Sequence, residues 1–196
     1  MKLILIVLCC ITLAGCMPKR DLSREDWLQM STKTFPDTNV EQIYKTAEKV
    51  LKASDPTDVL ISHTEDKMLG QRNFLIYAVL AATVGQYDFD ITARQDGKSV
   101  VMKMDIYRQL QGAFGPSMRH PFQWREAYDA YFGRMEALLY GKPWMICEEL
   151  EEAAESNATL EPLCLLADDN IPDGVKLSDR SAKIVAERKD AEKNSR

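Results

Sequence analysis

The sequence predicts an α+β fold: an antiparallel β-meander packed against an amphipathic helix, followed by two C-terminal helices. Three observations predict it. Val40, Ile43, Tyr44, Ala47, Val50 and Leu51 recur at helical spacing and form one apolar stripe over 40–53. Apolar and polar residues alternate on both sides of Asp96-Gly97, as in a hairpin with one buried face. The strand-like segments follow one another before the later helical patterns begin, an order that gives an antiparallel sheet rather than a doubly wound parallel one.

The first element is a leader. Lys2 supplies one positive charge, and Leu3 to Ala14 is an uncharged, almost wholly apolar run. About a dozen residues are too few to cross roughly 30 Å of hydrocarbon as a helix, but they suit the apolar region of a signal peptide. The run ends in Leu13-Ala14-Gly15-Cys16, a branched apolar residue, two small ones and a cysteine. This tetrapeptide resembles the lipobox of bacterial lipoproteins. The resemblance covers the N-terminal segment alone, and no domain family is recognised beyond it. It implies cleavage before Cys16, a diacylglycerol thioether on its sulfur and acylation (palmitate or a similar chain) of the new amine. Each buried CH₂ contributes about 0.8 kcal/mol, so several chains anchor firmly where one holds marginally. An ordinary secretory signal cut at the same place is the competing reading. Residue 17 is Met, whereas inner-membrane lipoproteins of enteric-type bacteria commonly carry Asp there. By that analogy the protein sits in the outer membrane facing the periplasm, the inner membrane or cell surface being the other placements.

Removing residues 1–15 leaves 16–196, enough for one domain with a proper core. Residues 16–25 are polar and contain Pro18, as a tether would; 26–174 is read as a single α+β domain and 175–196 as a charged tail, mobile or a frayed surface helix. Within the domain, alternation from Trp27 to Phe35 predicts a first strand. Thr38 and Glu41 fit a capping box for the helix over 40–53, which Ser54-Asp55-Pro56 stops. Asp58–Glu65 is a second strand and 68–84 a longer one. Phe74 to Ala82 is apolar at every position, so periodicity does not separate strand from helix there; the hairpin that follows favours strand.

A type I′ turn at Asp96-Gly97 pairs Ala93 with Val100, Ile91 with Met102, Phe89 with Met104 and Tyr87 with Ile106 on one apolar face. Asp88, Asp90, Thr92, Arg94, Val101, Lys103 and Asp105 then share the solvent face. Residues 110–119, with Gly112, Gly115 and Pro116, read as a loop. A helix begins near Pro121 and ends at Tyr140, before Gly141-Lys142-Pro143. A shorter helix is expected over about 144–156.

The chain carries 25 basic and 30 acidic side chains, a mild imbalance that gives no electrostatic case for nucleic acid. The acidic run Glu148-Glu149-Leu150-Glu151-Glu152 reads as a solvated helix face. Of five cysteines, Cys9 and Cys10 leave with the signal and Cys16 takes lipid. In an oxidising periplasm Cys147 and Cys164 are expected to form a disulfide, which closing the intervening loop makes worth roughly 3 kcal/mol. Two free buried thiols, or a redox pair without Cys-x-x-Cys spacing, are the other readings.

Chemistry-bearing motifs are sparse. The two histidines, His63 in Ser62-His63-Thr64-Glu65-Asp66 and His120 before Pro121, read as an exposed strand end and a loop or helix-start residue. No metal-ligand spacing, phosphate loop or nucleophile elbow is present, so no catalytic residue, metal or cofactor is expected. Asp88, Asp90 and Asp105 read as solvated charges partly balanced by Lys103. The dense aromatic group from Phe122 to Trp144 is mostly core, with Trp124 and Phe132 the candidates for a partner-binding groove. The function expected is therefore that of a non-enzymatic, lipid-anchored interaction or assembly-support module, bound to the membrane by its lipid and to an envelope protein by its surface. A small-ligand carrier of lipid or peptide, with its cavity near 74–82, is the alternative, and an enzyme with an unrecognised site a third.

Overall fold

The computed structural model describes residues 22–54, 59–78, 81–111, 118–146 and 171–194. Its first element begins at Ser23, whose Oγ accepts the Asp26 N–H at 3.1 Å, while Glu25 and Asp26 bring negative charge to the positive end of a helix. The result is α1 (Arg24–Ser31), followed by the short strand β1 (Thr32–Phe35). The strand expected from Trp27 is thus helical up to Ser31, and the helix starts within the expected tether. The cap outweighs the alternation, and Trp27, Met30 and Ser31 fall at i, i+3 and i+4 on one face, with Met30 and Ser31 buried.

Helix α2 (Val40–Ser54) forms as expected, but its capping box lies one residue later. Asn39 Oδ1 accepts the Gln42 N–H at 2.9 Å and Gln42 Oε1 accepts the Asn39 N–H at 3.1 Å. Thr38 instead donates its hydroxyl to Phe35 O, and Glu41 pairs with Lys45 one turn along the helix.

Four consecutive antiparallel strands follow: β2 (Val59–His63), β3 (Lys67–Ala78), β4 (Ala81–Asp96) and β5 (Ser99–Gln111). The long apolar stretch is strand, but two strands of a hairpin rather than one, since Ala78 pairs with Ala81. The sheet order is β1-β5-β4-β3-β2, and β6 (Met118–Pro121) joins the same edge of β5 as β1. Strand β6 begins within the expected loop and extends through His120 to Pro121, where a helix was expected to start. Proline is tolerated there because β6 is an edge strand.

The β4–β5 register differs from expectation by two residues: Ala93 faces Met102, Ile91 faces Met104 and Phe89 faces Ile106. The turn is Gly97-Lys98, with φ +60° at Gly97 and no positive φ at Lys98, as a type II′ turn requires. A type I′ turn would have forced Asp96 to positive φ as well. A shift of two preserves side-chain parity, so the expected faces stand while the partners change.

One face of this sheet is the core. Met68, Tyr87, Phe89, Ile91, Val100, Met102, Met104 and Ile106 are buried together with Ile43, Ala47, Val50 and Leu51 of α2 and with residues of α3 (Arg125–Tyr140). Edge-to-face ring pairs link the layers: Phe89 with Tyr131 at 5.2 Å, Phe35 with Phe132 at 6.3 Å and Trp27 with Tyr128 at 5.9 Å. Gly70 lets α2 approach β3, because a Cβ there would lie 2.8 Å from Leu51 Cδ1.

Helix α3 starts four residues later than expected and ends at Gly141, whose φ of 66° and N–H bond to Ala137 O form a left-handed cap. Residues 144–146 are not helical. Trp144 donates its N–H to Lys176 O at 2.7 Å beside an isolated parallel bridge to Leu177, and the Arg134 guanidinium, buried, lies 5.0 Å from the Trp144 ring. The rest of the expected 144–156 helix lies outside the described residues. The expected charged tail contains α4 (Asp179–Asn194), where Ser178 Oγ accepts the Ser181 N–H and Ser181 is fully buried. The architecture is α+β, with helices from both ends of the chain flanking one antiparallel sheet.

Candidate functional site

With one face of the sheet committed to the core, the other presents the polar positions of β2 to β6. Leu60 and Ser62 of β2, Leu69 and Gln71 of β3, Asp88 and Asp90 of β4 and Arg119 of β6 line a shallow cleft of about 430 Å³. Leu60 is 61% exposed and forms an apolar lip beside the charged floor.

Arg119 organises that floor. Its guanidinium reaches from β6 across β5, lying 3.6 Å from the Tyr107 ring centroid, and donates from Nε to Asp88 Oδ2 at 2.9 Å and from Nη2 to Asp90 Oδ1 at 3.4 Å. Asp88 Oδ1 also accepts from Gln86 Nε2 and, at 3.5 Å, from Gln71 Nε2. Both oxygens of Asp88 are therefore engaged, and the two carboxylates share one cation. Asp105 stands apart: Lys103 pairs with its Oδ2, and Trp27 donates Nε1–H to its Oδ1 at 3.1 Å. Lys103 balances Asp105, while Arg119 from β6 takes Asp88 and Asp90, since the register sets Lys103 opposite Thr92 rather than Asp90.

The histidines lie on opposite edges of the sheet, His63 on β2 and His120 on β6. His63 Nε2 is 3.4 Å from Glu48 Oε2, and the Lys52 ammonium, hydrogen-bonded to that carboxylate, holds it below its ordinary range. Thr64 Oγ1 donates toward Asp66, and Tyr44 meets His63 edge to face. This is a surface polar cluster between α2 and β2. Among the described residues no three His, Cys, Asp or Glu side chains converge as a metal site.

Of the two residues expected at a partner groove, Phe132 is 4% exposed and packs on Phe35, so it serves the core and is not part of an outer surface. The helix puts Phe132 inward because Tyr128, Tyr131 and Met135 occupy the same side. Trp124 is half-buried, tilted against Phe122 at 6.4 Å. Cys16, Cys147 and Cys164 lie outside the described residues. Arg119, central to the cleft, was not singled out by sequence; a strand of four residues that begins within a loop is too short to show alternation.

No protein-family model matches the chain, and no curated protein matches it. Among solved structures it is similar to a DUF4468 family protein from Bacteroides ovatus, with 12% identity, a TM-score of 0.30, and coverage of 54% of this chain and 65% of that one. The chain thus spans less than two thirds of that neighbour, and a likeness of this size carries no argument about fold or function.

Proposed function

We propose that the chain is a bacterial lipoprotein: cut before Cys16, held by lipid at the periplasmic side of the outer membrane, and acting there as an interaction or assembly-support module. The observation that carries this reading is Leu13-Ala14-Gly15-Cys16 at the end of an uncharged apolar run. Tethering raises the effective concentration of the domain near membrane partners, so a modest interface suffices. The open face of the sheet supports the module reading, since exposed Leu60 and the Arg119–Asp88–Asp90 floor combine an apolar anchor with directional polar groups.

The test is photo-crosslinking in intact cells, with the crosslinking residue at Leu60 and, for comparison, at Lys98 in the distal turn. The module reading expects one envelope protein to be captured from position 60, with loss of capture when Arg119 is replaced by Glu. Equal yields from both positions, insensitive to Arg119→Glu, would remove it.

A further inference from the structure

The two edges of the sheet are built differently. On the β5 side the outermost strands are β1 and β6, both short: β1 carries Lys33 and runs into Pro36, and β6 carries Arg119 and ends at Pro121. Short strands, charged side chains and proline are the devices that keep an exposed row of N–H and C=O groups from pairing with another chain. The opposite edge is β2, Val59-Leu60-Ile61-Ser62-His63, which has no Lys, Arg, Asp, Glu or Pro. Its register with β3 is continuous from Val59 to His63, with no bulge to twist it away. Among the described residues β2 pairs with β3 alone, and Leu60, Ser62 and His63 are exposed along it.

The direction of the main-chain groups on β2 follows from its hairpin. Thr64 donates its N–H to Lys67 O at 2.8 Å, so these two residues form a hydrogen-bonded pair. Such pairs alternate along an antiparallel ladder, so Ser62 opposite Leu69 and Leu60 opposite Gln71 are hydrogen-bonded as well. The N–H and C=O groups of Val59, Ile61 and His63 therefore point away from β3, toward the open edge. A strand that meets its own copy about a two-fold axis must be its own complement, because any charge near the axis faces its like. Strand β2 meets that condition. With the axis at Ile61, Ile61 faces the copy's Ile61, Val59 faces the copy's His63 and Leu60 faces the copy's Ser62. Residues directly opposite share a face, so the buried faces of both sheets continue on one side and the open faces on the other. The three outward-pointing residues then exchange N–H and C=O bonds with their counterparts.

From this edge we infer that two copies of the chain associate through β2, antiparallel and about a two-fold axis at Ile61, into one continuous sheet. The occupant is a second copy because the uncharged strand matches itself in both charge and side-chain parity. The seam lies outside β2, whereas Asp88, Asp90 and Arg119 belong to β4 and β6, so the pairing does not depend on the module reading. It sets the two clefts side by side on one open face, with each Leu60 beside the copy's Ser62.

Two measurements on the full-length chain, purified from cells in a neutrally buoyant detergent, test this without any substitution. Sedimentation equilibrium should show the mass rising from one chain to two with concentration. Residue-resolved hydrogen exchange should show the Ile61 amide slowing in step with that rise, about tenfold when roughly nine-tenths of the chains are paired, since it then exchanges only from the free chain. The Leu60 and Ser62 amides, bonded to β3 in either state, should exchange at the same slow rate throughout. A mass of one chain at every concentration, which would leave the edge to a strand of another protein, overturns the pairing. A mass of two chains with an Ile61 amide as fast as in the single chain places the contact on another surface and overturns it equally.

Discussion

The Tyr128 hydroxyl accepts the Ile106 backbone N–H at 3.1 Å, in the gap on the edge of β5 between β1 and β6. Phe122, the residue after β6, donates its N–H to Ile106 O at 2.8 Å, so both backbone polar groups of this buried residue are satisfied, the N–H by a side chain of α3 and the carbonyl by the continuation of β6. Tyr128 is fully buried, and that burial pushes its phenol well above the ordinary value. Tyr128→Phe removes the acceptor, adds no volume and strands the Ile106 N–H. Urea denaturation should show a loss of about 1–3 kcal/mol, and hydrogen exchange should show the Ile106 amide losing protection while those of β3 keep theirs.

Gly70 and Leu51 make the closest approach between α2 and β3. Gly70→Ala places a methyl 2.8 Å from Leu51 Cδ1, a clash that costs about 1–3 kcal/mol. Leu51→Val shortens the opposing side chain. The double variant should be more stable than the sum of the single losses predicts, and strict additivity in paired denaturation curves would contradict the packing described.

On the open face, the Arg119–Asp88 pair is partly exposed, the arginine side chain at 42%. A double-mutant cycle with Arg119→Ala and Asp88→Ala should give a coupling of only about 0.2–1 kcal/mol, smaller in high salt. The contribution of this network lies in shaping the cleft floor, so each single variant should still fold cooperatively.

Glu136 joins β1 to the end of α3, its carboxylate 3.3 Å from Lys33 Nζ and 2.9 Å from Lys142 Nζ. Burial alone would raise its pKa, but hydrogen bonds to the two ammonium groups reverse this and hold it below the ordinary 4.5. A depressed folded pKa gives stability that is present above the unfolded value and is lost as pH falls through the folded one. Stability measured between neutral pH and the region below 4.5 should therefore decline on acidification, and Glu136→Gln should flatten that part of the curve. A variant whose acid limb matches the parent would contradict the linkage.

The fold was legible wherever one apolar period ran long enough. The stripe on α2 and the alternation about Gly97 fixed a helix and a two-faced hairpin, and even the two-residue register difference left every side chain on its expected face. Local caps were harder to read: Ser23 turns an alternating segment into α1, and Asn39 takes the cap assigned to Thr38. The cleft was less legible still. Its aspartates follow from the hairpin pattern, but their partner Arg119 arrives on a four-residue edge strand from a loop, a long-range relationship with no local signature. Phe132 was misassigned because an aromatic-rich helix does not reveal by density which ring lacks a partner.

Mass spectrometry of the mature N-terminus from cell envelopes tests the central claim most directly. The account predicts a chain beginning at Cys16, carrying a thioether-linked diacylglycerol and an acylated amine. An N-terminus beginning at Met1, or at an unmodified Cys16, would contradict it.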